Sequence, residues 1–379
     1  MLQLVFGRSG YGKTEYIRNR IADMIDRGET QVLLITPEQY SFISEYSLLE
    51  QLGEARAHAV RCLSFSRLCD ECDRLYGADG RKLLTKGGKA ILMKTAIDQV
   101  RPDLELFEKK GSSAAFVQSM TGIYDEMKSC NLSGAAVYAA ADDLDTDILR
   151  CKMRDFSRIM TAYEALLGDR FADPANRLTR LYDQIKDQNY FAGQTVFLDG
   201  FNGFVAQEYK ILERIIAEAK AVYIALDSDS FGTGDGYDLF AYVNETAGIL
   251  QRIADKAGVP TNALQLGENY RTDYADLRRV EQYIFADQAP ETEISSEHIR
   301  LYAASTVTDA CNDLALQIKG LLRCGYRAGE IAVTMRDREK YAPVLASAFE
   351  KYGVPYYTDE RQPVTAQPIL VFPMYLMRS

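Results

Sequence analysis

Gly7-Arg8-Ser9-Gly10-Tyr11-Gly12-Lys13-Thr14 is the stretch on which the reading of this chain turns. It satisfies G-x-x-x-x-G-K-[ST] at every fixed position. Leu2-Gln3-Leu4-Val5-Phe6 before it is short, mostly apolar and ends at a glycine, which predicts a buried strand. After it, Ile17, Ile21, Met24 and Ile25 recur at helical spacing, Gly28 offers a stop, and Val32-Leu33-Leu34-Ile35 predicts a second strand. Strand, glycine loop, helix, strand is the setting a phosphate-binding loop requires. Glycines let backbone N–H groups turn inward as an anion nest, and the helix N-terminus adds partial positive charge. Lys13 is expected to reach the β- and γ-phosphates of ATP, and the Thr14 hydroxyl to hold Mg²⁺.

Such a loop needs a carboxylate at the end of a neighbouring buried strand to position the metal. Thr195-Val196-Phe197-Leu198-Asp199 is the best candidate, and Asp199 is assigned to Mg²⁺ with Thr14. The plainer alternative is a turn, because Asp-Gly is a common turn pair. Many DNA-translocating ATPases place a glutamate at the following position to activate water, but here it is Gly200. A positioned general base contributes about 10²–10⁴-fold, so nucleotide binding with slow or absent hydrolysis is expected.

The chain has 379 residues, 47% hydrophobic and 26% charged, which fits two to three globular domains and excludes a wholly disordered chain. No run of 18 apolar residues occurs, and no basic stretch or cleavage site accompanies Met1, so a membrane span and a secretory signal are not expected and a cytoplasmic location is. A net charge of −10 argues against non-specific coating of duplex DNA, although a locally basic groove is compatible with it. The seven dispersed cysteines read as reduced thiols. Cys69-Asp70-Glu71-Cys72 has no second pair at zinc-like spacing and reads as helix. With only His58 and His298, histidine-based catalysis has little material.

Residues from about 76 to 190 read as largely helical, with Phe116, Met120, Ile123, Tyr124 and Met127 on one face and Tyr163, Leu166 and Leu167 on another. Val222–Leu226 predicts a core strand and Asp238–Ala257 a helix. The polar stretch 287–293 predicts a linker. Beyond it, His298–Ala303 and Ile331–Met335 predict strands, 308–324 and Tyr341–Tyr352 helices, and Val354–Tyr357 extended chain.

Thr36-Pro37-Glu38-Gln39-Tyr40-Ser41-Phe42, Ser64-Phe65-Ser66-Arg67-Leu68, Leu198–Phe204 and Leu266-Gly267-Glu268-Asn269-Tyr270-Arg271 complete a pattern with the glycine loop. Together they resemble the AddB family, the B subunits of bacterial ATP-dependent helicase/deoxyribonucleases, over the whole chain but only the N-terminal part of the family's length. The resemblance implies an α/β, P-loop NTPase fold of the superfamily 1 helicase type. Residues 1–75 and 190–290 would form a first RecA-like parallel-sheet domain, 76–189 a helical accessory insertion, and 295–379 the beginning of a second RecA-like domain. Ser379 is then expected to be an artificial or proteolytic end. The family's nuclease domain and its cysteine-held iron–sulfur cluster would lie beyond it.

The resemblance further implies a heterodimer with an AddA helicase/nuclease subunit that processes double-strand breaks for recombination. Arg271 would contact the γ-phosphate. Asp227–Phe231 lacks the glutamine that active helicases use as a nucleotide sensor, which agrees with Gly200 in pointing to an inactive motor. The region is expected to scan exiting single-stranded DNA for a hotspot sequence, with Gln39, Ser41, Phe65, Arg67 and Phe204 lining the channel. Aromatics stack on unpaired bases, and Arg or Gln reads base edges or phosphates. The plainer reading of Phe65 and Phe204 is core, and Asp70, one turn after Arg67, is placed to neutralise it. The alternatives are an ATP-independent interaction scaffold with a vestigial loop and a small P-loop kinase or other transferase, which has no acceptor-site signature.

Overall fold

The computed structural model describes residues 1–78, 80–110, 113–229, 239–286, 291, 295–358 and 368–376. Along the chain the strands are β1 (Leu2–Gly7), β2 (Val32–Ile35), β3 (Val60–Leu63), β4 (Lys82–Leu83), β5 (Phe171–Ala172), β6 (Thr195–Leu198), β7 (Ala221–Asp227) and β8 (Thr261–Gln265). Six of them form one sheet in the order β3-β2-β6-β7-β1-β8, and every neighbouring pair in it is parallel. This is the α/β, RecA-like architecture that the resemblance implies. The short pair β4 and β5 lies apart from it.

Parallel strands covered on both faces are apolar throughout, and β2 and β6 are buried at every position. The two-residue period sorts their side chains. Leu33, Ile35, Val196 and Leu198 face one core with the helices Phe65–Tyr76, Ala206–Glu218 and Ala241–Lys256. Val32, Leu34 and Phe197 face the other, with the helices Lys13–Asp26 and Glu38–Leu52. The edge strand β8 escaped sequence reading because Thr261-Asn262-Ala263-Leu264-Gln265 is mostly exposed and shows no apolar run.

Between β3 and β6 the chain builds the helices Lys86–Val100, Ala114–Ser129, Gly134–Ala141 and Asp147–Leu167 around a separate core that includes Met93, Met120, Tyr124, Ile159 and Tyr163. The predicted helical faces are used as expected: Met120, Tyr124 and Met127 are buried, with Phe116 and Ile123 packed beside them.

The chain divides into two compact units, Met1–Asp273 with Glu281–Ala289, and Tyr274–Val280 with Pro290–Ser379. In the second, the helices Val307–Arg323 and Arg338–Tyr352 pack through Ala315, Ile318, Leu345 and Phe349. Two strand expectations fail there. Ile331, Val333 and Met335 do alternate with exposed Ala332 and Thr334, and they pack on the helix pair, but no neighbouring chain among the described residues pairs with them. His298–Ala303 is exposed and unpaired, because the N–H groups of Glu297 and His298 donate instead to the Asp276 carboxylate, at 3.1 and 3.0 Å. The predicted linker lies outside the described residues except at position 291, as do Ser230, Phe231 and Asp238. Among the described residues no helix is long and apolar enough to cross a membrane.

Candidate functional site

The C-terminal ends of parallel strands gather the loops of an open α/β sheet on one edge, and the residues singled out above meet there. The chain leaves β1 into a loop closed by the Tyr11 N–H donating to the Arg8 carbonyl at 3.1 Å. Gly10 and Gly12 hold φ of +91° and +80°, a region that residues with a Cβ rarely adopt. Gly12 caps the helix Lys13–Asp26 with no side chain of its own. First-turn N–H groups are left facing the loop, where an anion can take them.

Lys13 folds back over this loop. Its Nζ donates to the carbonyls of Gly7 at 2.7 Å and Arg8 at 2.9 Å and pairs with Asp227 Oδ1 at 2.5 Å. The Asp199 carboxylate stands beside the Thr14 hydroxyl and the Gly200 N–H, near enough for both to act on its protonation. Asp199 is 8% exposed, and burial pushes its carboxyl above the usual carboxylate range, with Asp227 adding to that and Thr14, Gly200 and Lys13 opposing it. A buried acid beside the loop's threonine is a donor set suited to a magnesium ion. Gly200 itself sits at φ +82°, and a Cβ there would lie 3.4 Å from Pro37 Cδ.

The segment after β8 runs alongside the loop. The Leu266 N–H donates to Phe6 O at 2.8 Å, and the Tyr270 N–H to Gly10 O at 2.9 Å. Arg271 lies against Gly10, its Cβ 2.9 Å from where a Gly10 Cβ would stand, and its N–H donates to Asn269 Oδ1 at 2.8 Å. The tertiary structure thus brings Arg271 to the loop from more than 250 positions away in sequence, as the helicase-like segment implies.

Two participants, Tyr270 and Asp227, were missed, and Arg8 of the predicted loop is held in a way the sequence did not show. Tyr270 lays its ring 3.4 Å from the Cβ position of Gly12. Arg8 pairs with Asp229 at 2.7 Å and donates to the Glu281 carbonyl at 2.9 Å. Asp227 holds Lys13. Only Asp227 carried a usable signal, an apolar run ending in an acid like the one that ends in Asp199.

The second set is divided by burial. Gln39 and Arg67 are exposed, whereas Ser41, Phe65 and Phe204 are buried. Phe65 packs edge-on to Phe201 at 5.8 Å between centroids, and Phe201 lies 5.0 Å from Phe204, so these rings serve the core. Arg67 donates to Ser41 Oγ and Glu45 Oε2, each at 3.2 Å. Asp70 is paired with Arg177 rather than with Arg67, so the expected neutralising partner is replaced by Glu45. A groove of about 650 Å³ opens between the ends of β2 and β3 and the helical insertion, lined among others by Pro37, Ser66, Lys86, Arg177 and Phe201.

Cys69 and Cys72 are buried in the core of the first unit, where burial pushes both thiols up to about 12. No group of three or more metal-ligating side chains occurs among the described residues.

A family model described as "ADDB, N-terminal" matches residues 4–281. The chain belongs to this family. The match to the AddB N-terminal family spans the sheet, the insertion and the Leu266–Arg271 segment in one piece. Relatives include the B subunit of the ATP-dependent helicase/deoxyribonuclease of Clostridium novyi (strain NT), 26% identical over 97% of this chain and 33% of its own. That of Clostridioides difficile (strain 630) is 28% identical over 98% of this chain and 33% of its own. The chain therefore spans about a third of the length of the curated relatives it matches.

Proposed function

We propose that this chain is the nucleotide-binding, helicase-like part of an AddB protein, acting with a partner AddA protein in an ATP-dependent helicase/deoxyribonuclease of double-strand break repair and recombination. The observation that carries the reading is the convergence, on one sheet edge, of positive-φ glycines, an uncapped helix N-terminus, Lys13 and the Thr14–Asp199 pair. Gly7–Thr14 would cradle the triphosphate of ATP, Thr14 and Asp199 would hold Mg²⁺, and Arg271 would reach the γ-phosphate. Bound Mg²⁺ would neutralise phosphate charge. No base stands at Gly200, so ATP serves as a conformational ligand more than as fuel.

Single-stranded DNA is assigned to the groove beside β2 and β3. Of the five residues predicted to contact DNA only Phe65 lines this groove, and Gln39 and Arg67 are exposed outside that lining, where they would meet the strand in this proposal.

Calorimetric titration of the chain with Mg-ATP tests the nucleotide reading. The wild type is expected to bind, and Lys13→Ala to lose most of that affinity; an absence of heat at millimolar nucleotide would leave a scaffold with a vestigial loop. For DNA, fluorescence anisotropy with single-stranded oligomers should be weaker for a Gln39→Ala/Arg67→Ala variant, and equal binding would remove the groove assignment.

A further inference from the structure

We propose that Asp227 is a built-in competitor for the phosphate cradle: its carboxylate occupies Lys13 until a polyphosphate displaces it, and so it sets how much nucleotide the site requires. The proposal rests on the nucleotide reading above and adds a control to that site.

An ammonium has three N–H donors, and those of Lys13 match the three acceptors within reach: Gly7 O, Arg8 O and Asp227 Oδ1. None is left for a phosphate. Two of the acceptors are carbonyls of the loop itself. The third is an anion delivered by a different strand, so it is the one a phosphate oxygen can replace charge for charge. Asp227 is held in place by its position. It is the last residue of β7, stands in register with Gly7 at the start of the loop, and is followed by an isolated bridge between Gly7 and Ser228. The Lys13 side chain is only 10% exposed, so the pair is shielded from full solvent screening.

Once displaced, Asp227 would remain close to the incoming phosphates as an unpaired like charge. That repulsion opposes binding, and it vanishes when Asp227 loses its charge. A carboxylate that instead helped to hold the metal would behave in the opposite way, since its neutralisation would weaken binding in magnesium and leave magnesium-free binding unchanged.

The experiment compares wild type, Asp227→Asn and Lys13→Ala by calorimetry, with Mg-ATP and, separately, with tripolyphosphate in EDTA. Asp227→Asn should bind both about tenfold more tightly than wild type. Acylation of Lys13 by an amine-reactive ester, followed by mass spectrometry, should be several-fold faster in Asp227→Asn and slowed again by tripolyphosphate. Equal or weaker binding of tripolyphosphate by Asp227→Asn, with wild type still binding and Lys13→Ala failing to bind, would overturn the competitor role alone. No binding of either ligand by wild type and Asp227→Asn would overturn the nucleotide reading and the competitor with it. Asp227 is 41% exposed in its side chain, so the substitution leaves the core intact.

Discussion

At position 200, where the sequence lacks a glutamate, the obstacle to a side chain is the backbone conformation. Gly200 adopts φ +82°, while a Cβ there would make only ordinary contact with Pro37 and Tyr40. A left-handed conformation costs a residue with a Cβ roughly 1–2 kcal/mol. Gly200→Glu should therefore lower stability by about that amount and leave phosphate release at background, read by urea denaturation and a steady-state phosphate assay. Brisk turnover in this variant would mean that the loop can relax and that only the carboxylate was lacking. Position 200 was legible in sequence as an absent glutamate, but its left-handed backbone was not, because φ depends on how the turn after Asp199 packs.

At the scale of elements, the insertion is tied together by a buried lysine. Lys89 pairs with Asp173 at 2.9 Å and with Asp125, and Tyr163 donates to Asp173 at 2.6 Å. The Asp173 side chain has no exposure at all. Breaking a buried pair by removing one partner costs about 3–5 kcal/mol, so Lys89→Ala should lose stability on that scale in chemical denaturation. In the second unit the segment 296–298 is fastened to the start of the helix Ala275–Tyr283 by Asp276. The N–H of His298 leads the hydrogen bonds that lower this carboxyl from 3.8 to about 2. A depressed acid contributes stability that is complete above its unfolded pKa and is lost as pH falls through the folded value. Asp276→Asn should therefore flatten the acid arm of the unfolding profile between 3.8 and about 2, measured by circular dichroism.

On the scale of the whole molecule, the hydrophobic clusters do not merge into one. The cores of the first unit are built on the sheet and the insertion, while Ile318, Leu345 and Phe349 belong to a separate cluster in the second unit. Separate cores unfold with limited cooperativity. Calorimetric melting should give a van't Hoff enthalpy below the calorimetric one, whereas equality of the two would make the chain a single cooperative block.

The sequence by itself determined the glycine loop, the strands and helix around it, the acid at the end of β6 and the helical insertion. Each of these is written in contiguous residues whose spacing follows the period of one element. Tertiary structure alone decided that Asp227 holds Lys13, that Arg8 is anchored by Asp229 and Glu281, and that Glu45 rather than Asp70 faces Arg67. It also decided that Phe65 and Phe204 are core, and that Ile331–Met335 has a strand's alternation but no ladder among the described residues. A charged side chain or a strand is completed by a partner from elsewhere in the chain, and that meeting is made only when the sheet closes.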